Sequence, residues 1–165
     1  MKKLMFVAVA MMLLLSTVTS AGADSTKILK FDTLVGVPRP YTGATNAIRG
    51  VPGGGRPWVV AFADGNLKAS GKLEIIVQGL VIDPNEPVAT AGTNPSPSFR
   101  AIVSCLSKDA AGAPTTVNVL TDPFPADAAG NSVIETRVTL PQPCIAPIIF
   151  VTNAGGTFWF AATGF

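Results

Sequence analysis

The side chains of residues 99–107 fall into two alternating sets, and this alternation predicts a β-strand. The apolar set is Phe99, Ala101, Val103 and Cys105, and the mixed set is Arg100, Ile102, Ser104 and Leu106. A period of two residues places successive side chains on opposite faces of a strand. We therefore expect a strand whose apolar face lies in the core.

Similar short runs follow one another along most of the chain. Those predicted as strands are residues 27–37 (as one strand or two), 58–63, 66–70, 72–82, 115–120, 132–140, 144–151 and 157–162. The Asp64-Gly65 pair is a favoured hairpin turn and is expected to separate two of them. Glycine and proline recur every eight to twelve residues, and no run of ten or more residues after the leader has a helical period.

This spacing of strands and turns predicts an all-β fold, an antiparallel β-sandwich of the immunoglobulin-like kind with seven to nine short strands. Neither tryptophan falls between the two cysteines, so the Cys…Trp…Cys signature of true immunoglobulin domains is absent. The prediction therefore concerns the architecture and not membership of that family.

The N-terminus has the three parts of a secretory signal peptide. Lys2 and Lys3 precede an apolar run of twelve residues, 4–15, and the small residues Ala21-Gly22-Ala23 offer a cleavage site. Twelve apolar residues are too few for a transmembrane helix, which needs roughly 20. We expect residues 1–23 to be a signal peptide and residues 24–165 to be a single secreted domain without an integral membrane segment.

The two cysteines lie in predicted strands, Cys105 within residues 99–107 and Cys144 at the start of residues 144–151. Exported proteins fold in an oxidising compartment, so the sequence predicts a Cys105–Cys144 disulfide. Two separate buried thiols are the alternative. A redox role is not expected, because there is no C-x-x-C motif and both cysteines lie in apolar runs.

The charge balance excludes some partners. The formal charge of +2 comes from Lys2 and Lys3, so removal of the signal peptide leaves ten basic and ten acidic residues. A neutral surface without a Lys/Arg cluster gives no basic patch for nucleic acid.

The sequence contains few of the residues and motifs that catalysis commonly uses. The chain has no histidine, which excludes Ser-His-Asp and Cys-His hydrolases and histidine-ligated metals. No phosphate-binding or dinucleotide motif occurs, and Gly53-Gly54-Gly55 is interpreted as a flexible or close-packed loop. A pair of carboxylates could in principle hydrolyse a glycoside, but most acidic residues fall at predicted turns or on solvent faces. We expect no catalytic residue and no cofactor.

Two kinds of acidic segment suggest turns. Asp83-Pro84-Asn85-Glu86 has three oxygen-bearing side chains, fewer ligands than the six to eight oxygens that calcium takes, so a simple turn is favoured over a metal site. The sequence Asp-Ala-Ala-Gly occurs at 109–112 and again at 127–130, and we interpret it as one turn used twice.

Three aromatic residues are candidate ligand contacts: Tyr41, Trp58 and Trp159. Flat rings on a rigid sheet can stack on pyranose sugars, whereas burial in the core is the competing interpretation. Trp159 is the better surface candidate, because Phe158 and Phe160 would share the opposite face of a strand.

Three segments resemble a group of small secreted bacterial proteins: residues 34–43 (LVGVPRPYTG), 98–105 (SFRAIVSC) and 143–147 (PCIAP). The resemblance covers nearly all of the chain after the leader. It implies secretion but no activity, and it transfers no functional residue.

The sequence favours a secreted, non-enzymatic protein that binds an extracellular polysaccharide or surface protein through the loops at 38–57 and 83–97. A structural protein of the cell envelope without a small ligand is the alternative. An outer-membrane β-barrel, suggested by the terminal Phe165, and a carboxylate-dependent hydrolase are less favoured.

Overall fold

The computed structural model describes residues 26–163. The predicted signal peptide and the terminal Phe165 lie outside this range. The strands are β1 Lys27–Phe31, β2 Val35–Gly36, β3 Trp58–Val59, β4 Phe62–Lys68, β5 Lys72–Gln78, β6 Val81–Ile82, β7 Ser98–Lys108, β8 Pro114–Leu120, β9 Phe124–Pro125, β10 Ser132–Arg137, β11 Ile145–Asn153 and β12 Trp159–Ala162. Among these described residues no helix is long and apolar enough to cross a membrane.

The prediction of an all-β sandwich is confirmed. The first sheet has the strand order β1-β4-β5-β10, and the second has the order β2-β12-β11-β7-β8, with β9 also paired to β7. All of these pairs are antiparallel, and β3 and β6 form a separate two-stranded ribbon. Of the twelve strands in residues 26–163, eight have four or more residues and four have only two. The buried residues of both sheets form one core.

Strand β7 lies between β11 and β8 in the second sheet, and residues 99–107 form a strand with one face in the core, as their alternation predicted. The whole of its apolar set is completely buried in the core that the two sheets share: Phe99, Ala101, Val103 and Cys105. The opposite face is partly covered as well, because Ile102 and Ser104 are buried while Leu106 is 42% exposed. Something outside the sandwich must therefore cover the middle of this strand.

The predicted disulfide is confirmed and lies within the second sheet. Cys105 of β7 is bonded to Cys144, which directly precedes β11, the neighbouring strand. The bond joins residues separated by 39 positions, and a loop of that length contributes about 4 kcal/mol in the chain-entropy model. It therefore fixes the β7–β11 pair at the end where β11 begins.

The predicted hairpin at Asp64-Gly65 is wrong. Strand β4 runs straight through both residues, and the turn lies at Gly71, which has a positive φ of 83°. The glycine at 65 is needed for space instead, because a Cβ there would collide with the Phe31 ring and with the carbonyl oxygen of Glu74. Similarly, Gly79 (φ 66°) ends β5, so residues 72–82 form two strands that belong to different sheets.

This close approach gives a testable prediction for Gly65→Ala. The new methyl group must displace the Phe31 ring, and overpacking of this kind costs about 1–3 kcal/mol. Urea denaturation should therefore show a lower free energy of unfolding for Gly65→Ala. The control is Gly55→Ala, where a Cβ would meet no atom within 4 Å, and equal stability of the two variants would contradict the prediction.

The two Asp-Ala-Ala-Gly segments adopt the same turn, as predicted. In the second, the Gly130 amide donates to the backbone oxygen of Asp127, and the Asn131 amide donates to the Asp127 carboxylate. In the first, Gly112 and Ala113 make the corresponding bonds to Asp109. Each aspartate thus caps its own turn.

The carboxylate of Asp127 makes the stability depend on pH. Hydrogen bonds from the backbone and then the side chain of Asn131 lower the pKa of Asp127. Its stabilisation is therefore present above the ordinary aspartate pKa and is lost as the pH falls through the lowered pKa of the folded state. Asp127→Asn should melt below the wild type at neutral pH, and the two melting temperatures should converge in acid. A difference that stays constant with pH would contradict this assignment.

Candidate functional site

The two loops predicted to bind a ligand meet at one end of the sandwich. The first loop (38–57) carries Arg39 and Arg56 near its ends, and the second loop (83–97) carries Glu86. Arg39 Nη2 donates to both carboxylate oxygens of Glu86, at 2.9 and 3.1 Å, and Arg56 Nη1 lies 3.9 Å from Oε2. One carboxylate therefore links both ends of the first loop to the second.

These contacts favour the interpretation of residues 83–86 as a turn. Asp83 Oδ1 accepts hydrogen bonds from the backbone N–H and the side-chain Nδ2 of Asn85, each at 2.9 Å. The Glu86 carboxylate is already paired with arginine. Within residues 26–163, no group of three or more His, Cys, Asp or Glu side chains could hold a metal ion.

An aromatic stack lies beneath the two loops. The rings of Trp58 and Phe160 are stacked with their centroids 3.7 Å apart, and Phe99 meets Phe160 edge-on at 6.0 Å. The Phe158 ring is tilted against the Phe160 ring, with their centroids 5.8 Å apart. Trp58 and Phe160 are buried, but Phe158 is 37% exposed and extends the stack to the surface.

A cleft of about 430 Å³ opens beside this stack. Its lining residues are Gly55, Arg56, Trp58, Ile82, Pro95, Ser96, Pro97, Asn153, Ala154, Phe158 and Phe160. The cleft therefore has an aromatic wall, a wall from the second loop, and two polar side chains, Arg56 and Asn153, that can donate hydrogen bonds.

The amide of Asn153 is oriented by the turn that follows β11. Its Oδ1 accepts hydrogen bonds from the backbone N–H groups of Thr157 (2.9 Å) and Phe158 (3.1 Å). The Thr157 hydroxyl also donates to this oxygen, at 3.2 Å, and because Oδ1 thus faces three donors, the Nδ2 group is left as a donor. It has no hydrogen-bond partner within the described part of the chain.

The opposite wall is held by Asn94, which is 6% exposed. Its Nδ2 donates to the carbonyl oxygens of Ser96 (2.7 Å) and Asp127 (2.9 Å), and its Oδ1 accepts from the Ser96 amide. The Ser96 hydroxyl donates to the oxygen of Ser98. These bonds fix the second loop on the rigid end of β7, so the cleft is preformed.

A second cleft of about 580 Å³ also borders Trp58, and Arg39, Asp83 and Glu86 lie in its walls. Arg39 and Glu86 are paired with each other, and Asp83 is bonded to Asn85. The charged groups of this second cleft therefore already have partners within the protein, whereas Arg56 and Asn153 in the first cleft have N–H groups left to donate.

The prediction that Trp159 presents its ring at the surface is wrong. Trp159 is 1% exposed, and its ring centroid lies 6.0 Å from that of Phe150. The first loop covers the strand edge, because the Trp159 amide donates to Pro52 and the Trp159 carbonyl accepts from Gly54. Alternation along residues 157–162 cannot reveal a loop that packs on the outer face of the sheet.

The same loop explains the glycine-rich segment. A Cβ at Gly53 would collide with the backbone of Tyr41, and one at Gly54 would lie 3.2 Å from the rings of Trp58 and Phe160. The segment is therefore close-packed. Tyr41 is 38% exposed but does not line the cleft beside Trp58.

Arg49 anchors the middle of the first loop to the second sheet. Its guanidinium donates to the backbone oxygens of Ser104 (2.7 Å) and Ala146 (2.8 Å), beside the irregular pairing at the start of β11. The Asn118 side chain donates to the Arg49 oxygen at 3.1 Å. This segment covers the outer face of β7, and burial lowers the pKa of Arg49.

Of the predicted contacts, only Trp58 lines this cleft, and being 5% exposed it offers only an edge. Sequence reasoning missed Arg56, Asn153 and Phe158, because Arg56 lies far along the chain from the turn that carries the other two. Comparison with models of protein families, with curated proteins and with solved structures finds no match for this chain.

The link between the loops predicts the effect of Glu86→Gln. Neutralising this carboxylate removes the charge that attracts Arg39 and Arg56, but ion pairs with exposed arginines contribute at most about 1 kcal/mol. Global stability should change little, whereas backbone amides of residues 83–97 should exchange faster with deuterium. Glu135→Gln, which removes an acid from the other sheet, is the control and should leave that exchange unchanged.

Proposed function

We propose that the protein is a secreted, non-enzymatic binding module and that its ligand is a saccharide held in the cleft beside Trp58 and Phe158. The observation that carries the proposal is the pairing of an exposed aromatic ring with two hydrogen-bond donors, Arg56 and Asn153, in one preformed cleft. Sugars offer apolar ring faces and hydroxyl groups, and this arrangement can satisfy both.

The cleft is suited to binding more than to catalysis. None of the residues that line it is an acid, and the Ser96 hydroxyl is committed to a backbone oxygen. The chain as a whole contains no histidine that could serve as a base. Secretion is supported by the leader pattern of residues 1–23 and by the disulfide, which is typical of exported proteins.

Arg56 points to the kind of saccharide. Its guanidinium has a long, 3.9 Å contact with Glu86 and lines the cleft with donors to spare. Guanidinium groups recognise carboxylates through paired hydrogen bonds. An oligosaccharide that contains uronic acid should therefore bind more tightly than its neutral counterpart.

The test is a thermal-shift and calorimetric screen with neutral and uronic-acid oligosaccharides. A ligand that binds only the native state must raise the melting temperature in a concentration-dependent way. Phe158→Ala should weaken binding about threefold to tenfold, as expected for loss of an aromatic contact of about 0.5–1.5 kcal/mol. Arg56→Gln should remove the preference for the acidic ligand.

The matched control is Phe62→Ala, which removes a 46% exposed phenylalanine from the first sheet. This variant should bind like the wild type. Absence of any saturable shift with the wild type would overturn the proposal and favour a structural role in the cell envelope.

A further inference from the structure

Strand β8 forms one edge of the second sheet, and its free side has the hydrogen-bonding groups of an unpaired strand. The strand order ends at β8, and among the strands of residues 26–163 it pairs only with β7. Edge strands of this kind can accept a further strand from another chain.

The register identifies which groups point outward. The backbone N–H of Asp109 donates to the Ala113 oxygen, and the N–H of Thr121 donates to the Ala101 oxygen. Hydrogen-bonded pairs alternate with non-bonded pairs along an antiparallel ladder, so every second residue between 113 and 121 bonds to β7. Thr115, Val117 and Val119 belong to these pairs. The N–H and C=O groups of Thr116, Asn118 and Leu120 therefore point away from β7, and none of them has a hydrogen-bond partner within residues 26–163.

The other sheet edges are protected along their length, whereas β8 has a proline only at its first residue, Pro114. Strand β1 carries Lys27 and Lys30, β10 carries Glu135 and Arg137, and β2 has only two residues. Charges and short lengths of this kind discourage pairing between chains. Residues 115–121 contain neither a charge nor a proline, and five of the seven are β-branched.

We propose that β8 pairs with β8 of a second copy of this chain, antiparallel about a two-fold axis at Asn118. The three outward-facing residues are symmetric about this position. Asn118 would face its own equivalent, and Thr116 would face Leu120 of the second copy. Each of these three pairs can exchange two N–H···O bonds, so every outward group named above is satisfied.

The side chains fit this register. Leu106 and Leu120 are 42% and 43% exposed on the outer face of the sheet, and Ile145, paired with Leu106, is 53% exposed. Because Leu106 also pairs with Thr116, the pairing places Leu120 of the second copy in the same cross-strand row. Exposed apolar side chains from both copies thereby lie in one row, with the Thr116 side chain between Leu106 and the Leu120 of the second copy.

Charges also match in this register. Asp122 lies two residues beyond the end of β8, and continuing the same register would bring Asp122 of the second copy opposite Pro114, whose partner on β7 is Lys108. Lys108 and Asp122 make no ion pair within the described chain. The two-fold axis creates this opposite-charge row twice and places no like charges opposite each other. A second copy therefore fits the edge better than a charged strand of another protein.

The test is sedimentation of the oxidised protein, purified from an exporting host, over a series of concentrations. The wild type should form a dimer. Asn118→Lys places two like charges at the axis and also removes the side-chain hydrogen bond to the Arg49 oxygen, whereas Thr116→Pro removes an outward N–H and leaves both that bond and the β7 ladder in place. Each variant should raise the dimer dissociation constant at least about tenfold, which corresponds to a dimerisation free energy less favourable by about 1.4 kcal/mol.

The control is Val133→Lys, which adds the same charge at a 53% exposed position on β10 and should remain dimeric. Amide exchange provides a second readout, since the N–H groups of Thr116, Asn118 and Leu120 should exchange more slowly as the dimer forms. A wild type that is monomeric at all concentrations overturns the proposal. So does a dimer that survives both β8 substitutions, or one whose β8 amides stay unprotected.

Discussion

The pairing of β7 with β11 is the constraint on which the rest of the structure depends. Strand β7 buries its apolar face in the core, and the Cys105–Cys144 bond fixes its neighbour in register. A shift of one residue would turn every core-facing side chain of β7 toward the outer face. Burial and the covalent bond therefore select the same register, and β8, β9 and β12 are added to this pair.

The irregular start of β11 converts this rigid pair into a support for the loops. Between Ile145 and Ile148 the register shifts, and the Arg49 side chain bonds to the free carbonyl oxygens there. The first loop is thereby held flat against the sheet, so that its far end, with Arg56, reaches the second loop. The hydrogen bonds of Arg49 therefore help to position the wall of the candidate cleft, although Arg49 does not line it.

The two proposals are linked through effective concentration. One cleft with a single exposed ring and two donors is a modest site, and sugar ligands are repetitive. A dimer formed through β8 would carry two such clefts, and two linked sites on one polymer bind more tightly than either alone without any new contact. Avidity of this kind is a physical reason for an extracellular binding module to keep an unprotected edge.

The sequence by itself determined the all-β class, the disulfide and the reused Asp-Ala-Ala-Gly turn, because each depends on neighbouring residues or on a choice among only two cysteines, whereas several strand boundaries did not follow from it. Alternation located β7, and an uninterrupted apolar run located β11, in which four consecutive residues are buried. The tertiary structure alone decided that Asp64-Gly65 lies within a strand, that Trp159 is buried beneath a loop, and that Arg56, Asn153 and Phe158 share a cleft. The physical reason is that the local pattern of apolar and polar residues indicates which side chains are suited to burial, whereas the residues that pack against them come from distant parts of the chain.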